Sequence, residues 1–555
     1  MKLLLRNEVI IIVILGSIFF FPYLGAVHLF DWDEINFAEC AREMRVLHDY
    51  SRVYINFMPF WEKPPLFFWM QSASMGIFGV TEFAARFPNA LCGIITLLVL
   101  FIGGTRLFDR KFGLFWALAF GGSLFPNLYF KSGIIDPWFN LFIFISVYFF
   151  ILYHWKRNKM DKEDLRHHPL TYLTVSAISI GLALLTKGPV ALILFVIILM
   201  LYLLYNRFEL YFNIGHALLF ICILLVVTLP WYAYETLKNG PWFVTEFIRY
   251  QYRLLSTHDA GQRGFIGYHF VVILIGCFPA SILAIPAFFK MPFATRYEKD
   301  YKIWMFLLFW VVMILFTIVK SRIIHYSSLA WFPVSFLAAY SFYKWERKEK
   351  MVQAYIPVLI SIIGGIIALF FIAFPFVAMN ITQLIPYVRD GFAKEAMKAD
   401  VYWSGFESFI GVFMLMVIIY GLRKLNKSKF ISAAWIFFGG MAIVTFFASA
   451  ILIPKVERYS QGAAIDFFIQ HQHEDSYIAT LGYKSYGDLF YTQKTKPLNP
   501  QSDDINWLLS GDIDKTVYFV TKVTRTDRYK DYKDIHELYR KNGFVFLERD
   551  PVKPR

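Results

Sequence analysis

The chain has 555 residues, of which 57% are hydrophobic and only 17% charged, with a mean hydropathy of +0.49. Soluble domains carry about 25% charged residues, so this composition excludes a soluble protein and predicts one that lives in a bilayer. The net charge of +14 would suit nucleic-acid binding. However, the basic residues fall mainly in short loops between apolar runs, where they set membrane orientation.

Long apolar runs recur along the chain, each near the roughly 20 residues that a helix needs to cross a hydrocarbon core about 30 Å thick. A membrane β-barrel would show short alternating segments instead. We therefore predict an all-α polytopic membrane protein with about 13 membrane-spanning helices. The predicted spans lie near residues 8–29, 88–105, 112–129, 137–155, 170–186, 189–205, 213–232, 265–289, 303–319, 327–343, 355–378, 405–421 and 430–453.

Charge predicts the orientation. The first apolar run has about 20 residues and no small-residue cleavage site, which favours a retained span over a signal peptide. If the spans alternate, the basic clusters share one side, which must be the cytoplasm. These clusters are Lys2 and Arg6; Arg106, Arg110 and Lys111; Lys156, Arg157 and Lys159; Lys344, Arg347, Lys348 and Lys350; and Arg423, Lys424, Lys427 and Lys429. The outward segments are then 30–87, 130–136, 186–188, 233–264, 320–326, 379–404 and the tail from 455.

Two outward segments are long enough to have structure of their own. Residues 30–87 carry charged and aromatic residues at helical spacing, which predicts interfacial helices within a transmembrane domain of residues 1–454. The tail, residues 455–555, predicts a small soluble extracytoplasmic α/β domain. Its strand-like stretches are 477–482, 516–522 and 544–548, and its helix-like stretches are near 462–473 and 531–541.

The four cysteines are scattered, and three of them lie in apolar spans. Neither a disulfide framework nor a thiolate metal site is therefore expected. They are Cys40, Cys92, Cys222 and Cys277.

Three carboxylates follow the first span directly, in Asp31-Trp32-Asp33-Glu34. Carboxylates at the membrane edge usually line a polar cavity or pair with cations. A group-transfer reaction can also use such a carboxylate to accept a proton from an attacking hydroxyl. A solvated start of the loop explains the same residues without any function.

The next motif is Trp61-Glu62-Lys63-Pro64-Pro65-Leu66, in which two prolines exclude a regular helix and stiffen the backbone. Lys63 is then held rigidly enough to face a phosphate. An ordinary turn with an exposed salt bridge is the alternative.

Asp136 follows Lys131 in the next outward loop and precedes Pro137, which favours a helix start. Asp136 either caps that helix or faces Asp33 across a cavity.

Lys187 lies at a tight turn between two apolar spans, next to Gly188. Its ammonium must snorkel to the interface or find an anion, such as a lipid phosphate.

Two further loops place basic groups beside spans and resemble anion-binding edges. They are Tyr250-Gln251-Tyr252-Arg253, which continues to His258, and Lys320-Ser321-Arg322, which continues to His325-Tyr326. Each is weak evidence alone, but almost every outward loop supplies charged groups while the spans carry nearly none.

In this order, the motifs resemble the membrane-embedded glycosyltransferases of the GT-C class. The resemblance is to the superfamily of the protein O-mannosyltransferases and the bacterial lipid A 4-amino-4-deoxy-L-arabinose transferases. It covers about the first 335 residues and is specific only as a set. The motifs are Asp33-Glu34, Ala38-Glu39 with Arg42-Glu43-Met44, Glu62 to Leu66, Phe78-Gly79 with Glu82 to Arg86, Asp136, Lys187-Gly188-Pro189, and Lys320 to Tyr326.

The resemblance, together with the two basic loops, implies roles for some of these residues. Asp33 would be the catalytic carboxylate, with Glu34 beside it. The cations Lys63, Arg86, Lys187, Arg253 and Lys320 would bind the donor phosphate, and the substrate pocket would contain Glu62, Asp136, His258, His325 and Tyr326. Glu62 and Asp136 would also be candidate ligands of a divalent metal, which is the one cofactor that the resemblance leaves open.

One departure leaves the donor and any metal site open. The loop reads Tyr250-Gln251-Tyr252-Arg253, where the aminoarabinose transferases carry a histidine-rich stretch before the arginine.

The implied reaction moves a sugar, hexosyl or pentosyl, from a polyprenyl (undecaprenyl) phosphate carrier to a lipid, glycan or protein acceptor, without nucleic acid. Cations stabilise the leaving phosphate while Asp33 takes the proton from the acceptor hydroxyl on the opposite face, so the anomeric carbon inverts. An acceptor that is itself a phosphate needs little base, and Asp33 would then stabilise a cationic transition state. The implied location is the bacterial inner membrane, with the site facing the periplasm.

Two other functions remain as alternatives. A transporter or flippase of lipid-linked sugars would show charges or broken helices at mid-span, and few such charges are present. A polysaccharide polymerase or ligase of the O-antigen type would rely on a large outer loop rich in Arg and His, whereas here the first outer loop dominates.

Overall fold

The computed structural model describes residues 2–158, 165–208, 213–256, 265–289, 291–319 and 322–551. Helices dominate as far as residue 470, and a small sheet follows. The helices are α1 (Lys2–Phe20), α2 (Asp33–Val46), α3 (Leu66–Phe78), α4 (Glu82–Leu107), α5 (Arg110–Gly121), α6 (Leu124–Tyr129), α7 (Asp136–Arg157), α8 (Pro169–Lys187), α9 (Val190–Tyr205), α10 (Ile214–Asn239), α11 (Trp242–Ser256), α12 (Tyr268–Gly276), α13 (Ala280–Leu283), α14 (Ile285–Phe288), α15 (Arg296–Ile318), α16 (Trp331–Glu346), α17 (Tyr355–Met379), α18 (Gly391–Ala396), α19 (Phe409–Asn426), α20 (Phe430–Ala434), α21 (Gly440–Phe447), α22 (Ile453–Arg458), α23 (Gly462–Gln470), α24 (Gly487–Phe490) and α25 (Ile505–Ser510). The strands are β1 (Tyr54–Ile55), β2 (Met58–Pro59), β3 (Tyr477–Leu481), β4 (Val517–Lys522), β5 (Ile535–Lys541) and β6 (Phe544–Arg549).

Within the described ranges, eight helical segments are long and apolar enough to cross a bilayer, or nine if the bent pair formed by α12 with α13–α14 is one span. They are Glu82–Leu107, Asp136–Arg157, Pro169–Lys187, Ile214–Asn239, Arg296–Ile318, Tyr355–Met379, Phe406–Asn426 and Phe430–Arg458. This is fewer than the 13 predicted. The other predicted spans fall on α1, α5 with α6, α9, the bent pair and α16, which are short or interrupted. For example, α9 has 16 residues and is about 24 Å long, less than a hydrocarbon core.

The basic loops that were predicted to be cytoplasmic meet at one end of the bundle. Lys111 pairs with Glu346 at 2.8 Å, and Arg110 pairs with Glu8 of α1. The apolar core lies between the two ends and is rich in aromatic rings, as where Phe144 and Phe332 stack at 4.4 Å. The outward loops therefore gather at the opposite end.

The first outward loop folds into two short helices and a hairpin. Helix α2 has 14 residues, too few to cross a membrane. Its charged residues Glu39, Arg42 and Glu43 are nevertheless buried, because α3 packs on one side and the tail covers another. Helix α2 is thus an internal element of the outer end.

The tail forms a four-stranded mixed sheet of order β3-β4-β6-β5. Strand β4 is parallel to β3 and antiparallel to β6, which in turn pairs antiparallel with β5. The helix α23 and the strands β3, β4 and β6 match the sequence predictions. The helix predicted near 531–541 was wrong, because residues 535–541 pair with β6 as a strand.

The tail has one apolar core of its own and shares a second with the first outward loop. The first packs Leu508 and Leu509 against the sheet. The second joins Leu29, Ile35 and Ala38 to Phe468 and Phe490. The tail and the first outward loop are therefore packed together.

Candidate active site

A cavity of about 1010 Å³ lies at the outer end, where the outward loops converge. Its polar wall contains charged residues from five outward loops and from the tail. These residues are Asp31, Asp33, Glu34, Glu62, Lys63, Arg86, Lys131, Asp136, Lys187, Arg253, His325 and Lys484. The apolar wall is formed by α9 and α15 and includes Val190, Ile193, Leu194, Leu315 and Phe316. The cavity is thus amphipathic, which suits a ligand with a charged head and an apolar chain.

Two carboxylates meet at one imidazole. Nε2 of His325 lies 3.7 Å from Oδ2 of Asp33 and 3.9 Å from Oδ2 of Asp136. The predicted arrangement, with Asp136 facing the Asp33 site, is therefore present. Asp33 is 44% exposed and Asp136 only 5%, so Asp33 is the carboxylate that a ligand can reach.

Local structure explains both positions. Asp33 is the first residue of α2, where the helix dipole favours a negative charge. Asp136 begins α7, but Ile135 occupies the cap position and no side chain caps the helix. Oδ1 of Asp136 instead accepts from the Lys187 ammonium at 2.6 Å. The ion pair, rather than capping, accounts for Asp136.

Lys187 ends α8 and points into the cavity. Its ammonium lies 5.3 Å from the centre of the Tyr326 ring and 5.7 Å from that of Phe139. Gly188 has a φ of +93°, and a Cβ there would collide with the ring of Phe247. This position therefore requires glycine. Lys187 pairs with a carboxylate, so its charge is already partly balanced.

His325 and Tyr326 lie on a short 3₁₀ turn, Ile324–Ala330, between α15 and α16. Burial lowers the pKa of His325 below its ordinary value, and the Asp136 carboxylate offsets this only in part. The imidazole is therefore mainly neutral near pH 7. The Tyr326 ring lies against it, with the ring centres 5.3 Å apart.

A second group of residues forms a cationic edge around Tyr250. Nζ of Lys63 lies 3.5 Å from the Tyr250 hydroxyl and 4.8 Å from the centre of its ring. The Arg253 guanidinium lies 5.4 Å from the same ring. Lys63 follows the β1–β2 hairpin and precedes the prolines that lead into α3, so its backbone is constrained as predicted. We call Lys63, Tyr250 and Arg253 the Tyr250 edge.

Glu34 and Arg86 form a closed pair. Arg86 donates to both oxygens of Glu34 and to the carbonyls of Leu24, Val27 and His28, at 2.7 to 3.1 Å. These contacts use all five N–H donors of a guanidinium. Glu34 also accepts from the backbone N–H groups of Phe30 and Gly133.

The hydrogen bonds that occupy Arg86 and Glu34 bear on the roles predicted for these two residues. Burial alone would raise the pKa of Glu34, but the Arg86 guanidinium outweighs it and holds the pKa below its ordinary value. Glu34 is thus a paired anion with no free oxygen, and Arg86 has no donor left for a phosphate. The geometry favours a structural role for both residues, not the predicted catalytic and phosphate-binding ones.

The other predicted residues divide into two groups. Glu62 lines the cavity beside Lys63. Lys320 and His258 lie outside the described residues.

Among the residues described, no three His, Cys, Asp or Glu side chains are arranged to hold a metal ion. One oxygen of Asp136 accepts from Lys187, so only its other oxygen could bind a metal, and the metal role of Glu62 and Asp136 stays a prediction.

Three cavity residues were not predicted. Tyr250 lies three residues before Arg253, for which a role was predicted. This spacing places both residues on one helix face and could have indicated Tyr250. Lys131 donates to the carbonyl of Pro22 at 2.7 Å, and burial lowers its pKa to about 8. Lys484 comes from the tail, and no local motif indicated it.

The fold and the amphipathic cavity define a polytopic membrane protein with a ligand site at one end. Residues 62–234 match the family described as dolichyl-phosphate-mannose-protein mannosyltransferase. Over 98% of both chains, the fold is similar to the crystal structure of ArnT from Cupriavidus metallidurans bound to undecaprenyl phosphate, with a TM-score of 0.76 at 17% identity. The apo state of the same protein gives a TM-score of 0.73 over the same coverage.

Sequence relatives agree with the fold. One relative is the undecaprenyl phosphate-alpha-4-amino-4-deoxy-L-arabinose arabinosyl transferase of Wigglesworthia glossinidia brevipalpis. The two sequences are 25% identical over 348 residues, and this alignment covers 61% of this chain and 59% of the relative. Transferase 2 of the same description, from Proteus mirabilis, is 24% identical over 76% of this chain and 73% of its own length. The relatives and the structural neighbours thus agree with the resemblance that the motifs show.

Proposed function

We propose that the protein transfers a sugar from a polyprenyl-phosphate donor to an acceptor at the outer face of the membrane, with inversion. The observation that carries this proposal is the cavity, where an exposed carboxylate, Asp33, and the cationic Tyr250 edge line the same space as an apolar wall. The similarity to ArnT bound to undecaprenyl phosphate supports the same donor class.

The apolar wall of the cavity can bind the lipid chain of the donor. Val190, Ile193 and Leu194 of α9 face the cavity together with residues of α15. A polyprenyl chain buried there gains about 25 cal/mol for each Å² of apolar area removed from water. Its phosphate would lie at the polar end, where Lys63 and Arg253 supply a point charge and a planar guanidinium.

The chemistry is a displacement at the anomeric carbon. The bond between that carbon and the phosphate oxygen breaks, and the polyprenyl phosphate leaves with the electron pair. The acceptor oxygen attacks the opposite face and forms the new bond, while Asp33 accepts the proton of an acceptor hydroxyl. Lys63 and Arg253 stabilise the negative charge on the leaving phosphate. A phosphate acceptor has no proton to lose, and Asp33 then stabilises the positive charge on the sugar.

Asp136, Lys187 and His325 would position Asp33. The pair Lys187–Asp136 fixes one side of the imidazole, and His325 links it to Asp33. With its pKa lowered, His325 is neutral and can donate a hydrogen bond to Asp33 without neutralising its charge.

The proposal extends to features beyond the cavity. The sugar is a hexose or a pentose, and the acceptor is a lipid A-like lipid, a glycan or a protein. The enzyme lies in the bacterial inner membrane with the cavity facing the periplasm. Its domains are a transmembrane unit of about 13 spans, residues 1–454, and an extracytoplasmic α/β unit, residues 455–555. The short apolar helices and the sheet of the tail support this division.

The decisive experiment is transfer by the purified protein in nanodiscs. A panel of radiolabelled polyprenyl-phosphate sugars is offered with diphosphoryl lipid A, total membrane lipid and membrane protein as separate acceptor pools. Asp33→Asn is the test variant, and Asp475→Asn, which changes an exposed aspartate of the tail, is its control. We expect label to move with the wild type and the control but not with Asp33→Asn.

Either of two results would count against the proposal. Equal transfer by Asp33→Asn would remove the catalytic assignment. No transfer with any donor, together with movement of the carrier across a sealed bilayer, would favour a flippase instead.

A further inference from the structure

Lys484 differs from Lys131 and Lys187, two other lysines of the cavity, in its contacts. Lys187 pairs with Asp136, and Lys131 donates to a backbone carbonyl. The Lys484 ammonium instead lies over two aromatic rings, 4.7 Å from the centre of Trp32 and 5.2 Å from that of Tyr486. In the part of the chain that the structure describes, no carboxylate forms an ion pair with it. Its charge therefore remains available to a ligand.

The tail holds Lys484 at the wall that carries Asp33. The backbone N–H of Tyr486 donates to Oδ1 of Asp31 at 3.4 Å, and Trp32 follows Asp31 in the chain. Oε1 of Gln461 accepts a hydrogen bond from the backbone N–H of Asp31 at 3.0 Å, and Nε2 of Gln461 donates to the carbonyl of Leu29 at 2.7 Å. Trp32 is half exposed and directly precedes Asp33. An anion bound at Lys484 would thus lie beside the candidate base.

Inversion places this anion on the acceptor side. The leaving phosphate and the incoming acceptor lie on opposite faces of the sugar, and the base is on the side of the acceptor. The Tyr250 edge provides cations for the leaving phosphate, whereas Lys484 neighbours the base. A cation in that position can bind a charge on the acceptor.

We propose that Lys484 and the face of Trp32 form an acceptor subsite that binds a phosphate monoester. The subsite rests on the proposed function, since it names the part of the acceptor that the cavity recognises. Lysine serves as a point-charge contact for phosphate, and the indole holds the ammonium in place through a cation–π contact. The phosphate belongs to the headgroup of an amphipathic acceptor or to a glycan. Free phosphate shares the same chemistry and is distinguished below.

The test measures binding without donor. Wild-type protein in nanodiscs is titrated with labelled diphosphoryl lipid A and, separately, with the same lipid after both phosphates are removed. The variants are Lys484→Gln, Lys484→Arg and Lys522→Gln. Lys522 is the matched control, because it is also a tail lysine over two rings, those of Phe392 and Tyr483, but does not line the cavity.

We expect the wild type and Lys522→Gln to prefer the phosphorylated lipid about tenfold, a typical value for one charged contact. Lys484→Gln should lose this preference while its thermal midpoint stays unchanged, and Lys484→Arg should retain most of it. In the transfer assay, Lys484→Gln should raise the KM for the phosphorylated acceptor and leave kcat and the donor KM unchanged.

The proposal is overturned if Lys484→Gln and the wild type discriminate equally between the two lipids, or if the wild type does not discriminate. Competition by inorganic phosphate at the same concentrations as the lipid would make a free ion the ligand, which also overturns an acceptor subsite. The binding test contains no donor, so it is independent of the transfer assay. Absence of transfer with every donor would contradict the proposed function without changing the measured binding of the two lipids.

Discussion

Asp33 and Glu34 are neighbours in the chain, yet the structure gives them opposite surroundings. Asp33 is partly exposed to the cavity and lies 3.7 Å from the imidazole of His325, which its lowered pKa keeps mainly neutral near pH 7. Glu34 is buried, accepts two backbone N–H groups and is held by Arg86. Of two adjacent carboxylates at a membrane edge, one is thus accessible to a ligand and the other stabilises the loop that carries both.

Asp33→Asn gives the largest expected effect on activity. The amide keeps the shape of the side chain but cannot accept the proton, so turnover should fall about 1,000-fold, within the usual range for loss of a general base. The thermal midpoint should stay at the wild-type value. Initial rates and melting curves on the same preparation test both statements, and a lowered midpoint would show that Asp33 is structural.

Arg86→Met should have the opposite profile. Removing one partner of a buried pair leaves an uncompensated charge on Glu34, which costs roughly 3–5 kcal/mol of folding free energy. We expect a large drop in thermal midpoint in detergent, with the loss of activity following from misfolding. The matched control is Arg458→Met, which breaks the exposed pair with Asp466 and should cost at most about 1 kcal/mol. A wild-type midpoint in Arg86→Met, with weaker donor binding, would restore the predicted phosphate role.

Lys63→Met should act on donor binding. The substitution removes the ammonium of the Tyr250 edge but keeps an unbranched side chain, so the donor KM should rise about tenfold, as for a lost hydrogen bond to a charged group. Raising the salt concentration should weaken donor binding less in the variant than in the wild type. Lys515→Met, in an exposed pair of the tail, serves as the control. An unchanged donor KM would exclude Lys63 from the phosphate site.

The smallest effect concerns pH and His325. Its pKa in the folded protein lies below the ordinary value of 6.5 because the side chain is buried. Between the two values the unfolded chain binds more protons, so stability falls as the pH drops from 6.5 toward the folded pKa. The slope is at most about 1.4 kcal/mol per pH unit. Thermal midpoints at pH 7.5 and 5.5 should differ less in His325→Asn than in the wild type, and an equal difference would contradict the lowered pKa.

The convergence of charged groups was predictable because alternation of spans forces the outward loops to one end. Asp33, Lys63, Asp136, Lys187 and His325 all line the one cavity for that reason. The saturation of Arg86 was not predictable, since three of its acceptors are backbone carbonyls of residues 24–28 whose direction depends on the folded loop.

Tertiary contacts also explain the errors in the fold. Residues 535–541 contain good helix formers such as Glu537, Leu538 and Arg540, but pairing with β6 outweighs local propensity. Lys484 was missed because it reaches the cavity through contacts between residues more than 400 positions apart. Neither the pairing of β5 with β6 nor the position of Lys484 can be inferred from a local stretch of sequence.

Those distant contacts have a consequence for synthesis. The loop of Leu29 and Asp31 is held by Gln461, and Tyr491 receives the N–H of Leu29 at 2.6 Å. A ribosome makes the apolar helices before it reaches either residue, so a nascent chain can occupy the bilayer while the loop beside Asp33 lacks its supports. Asp33 is therefore synthesised more than 400 residues before Gln461 and Tyr491, which complete its surroundings.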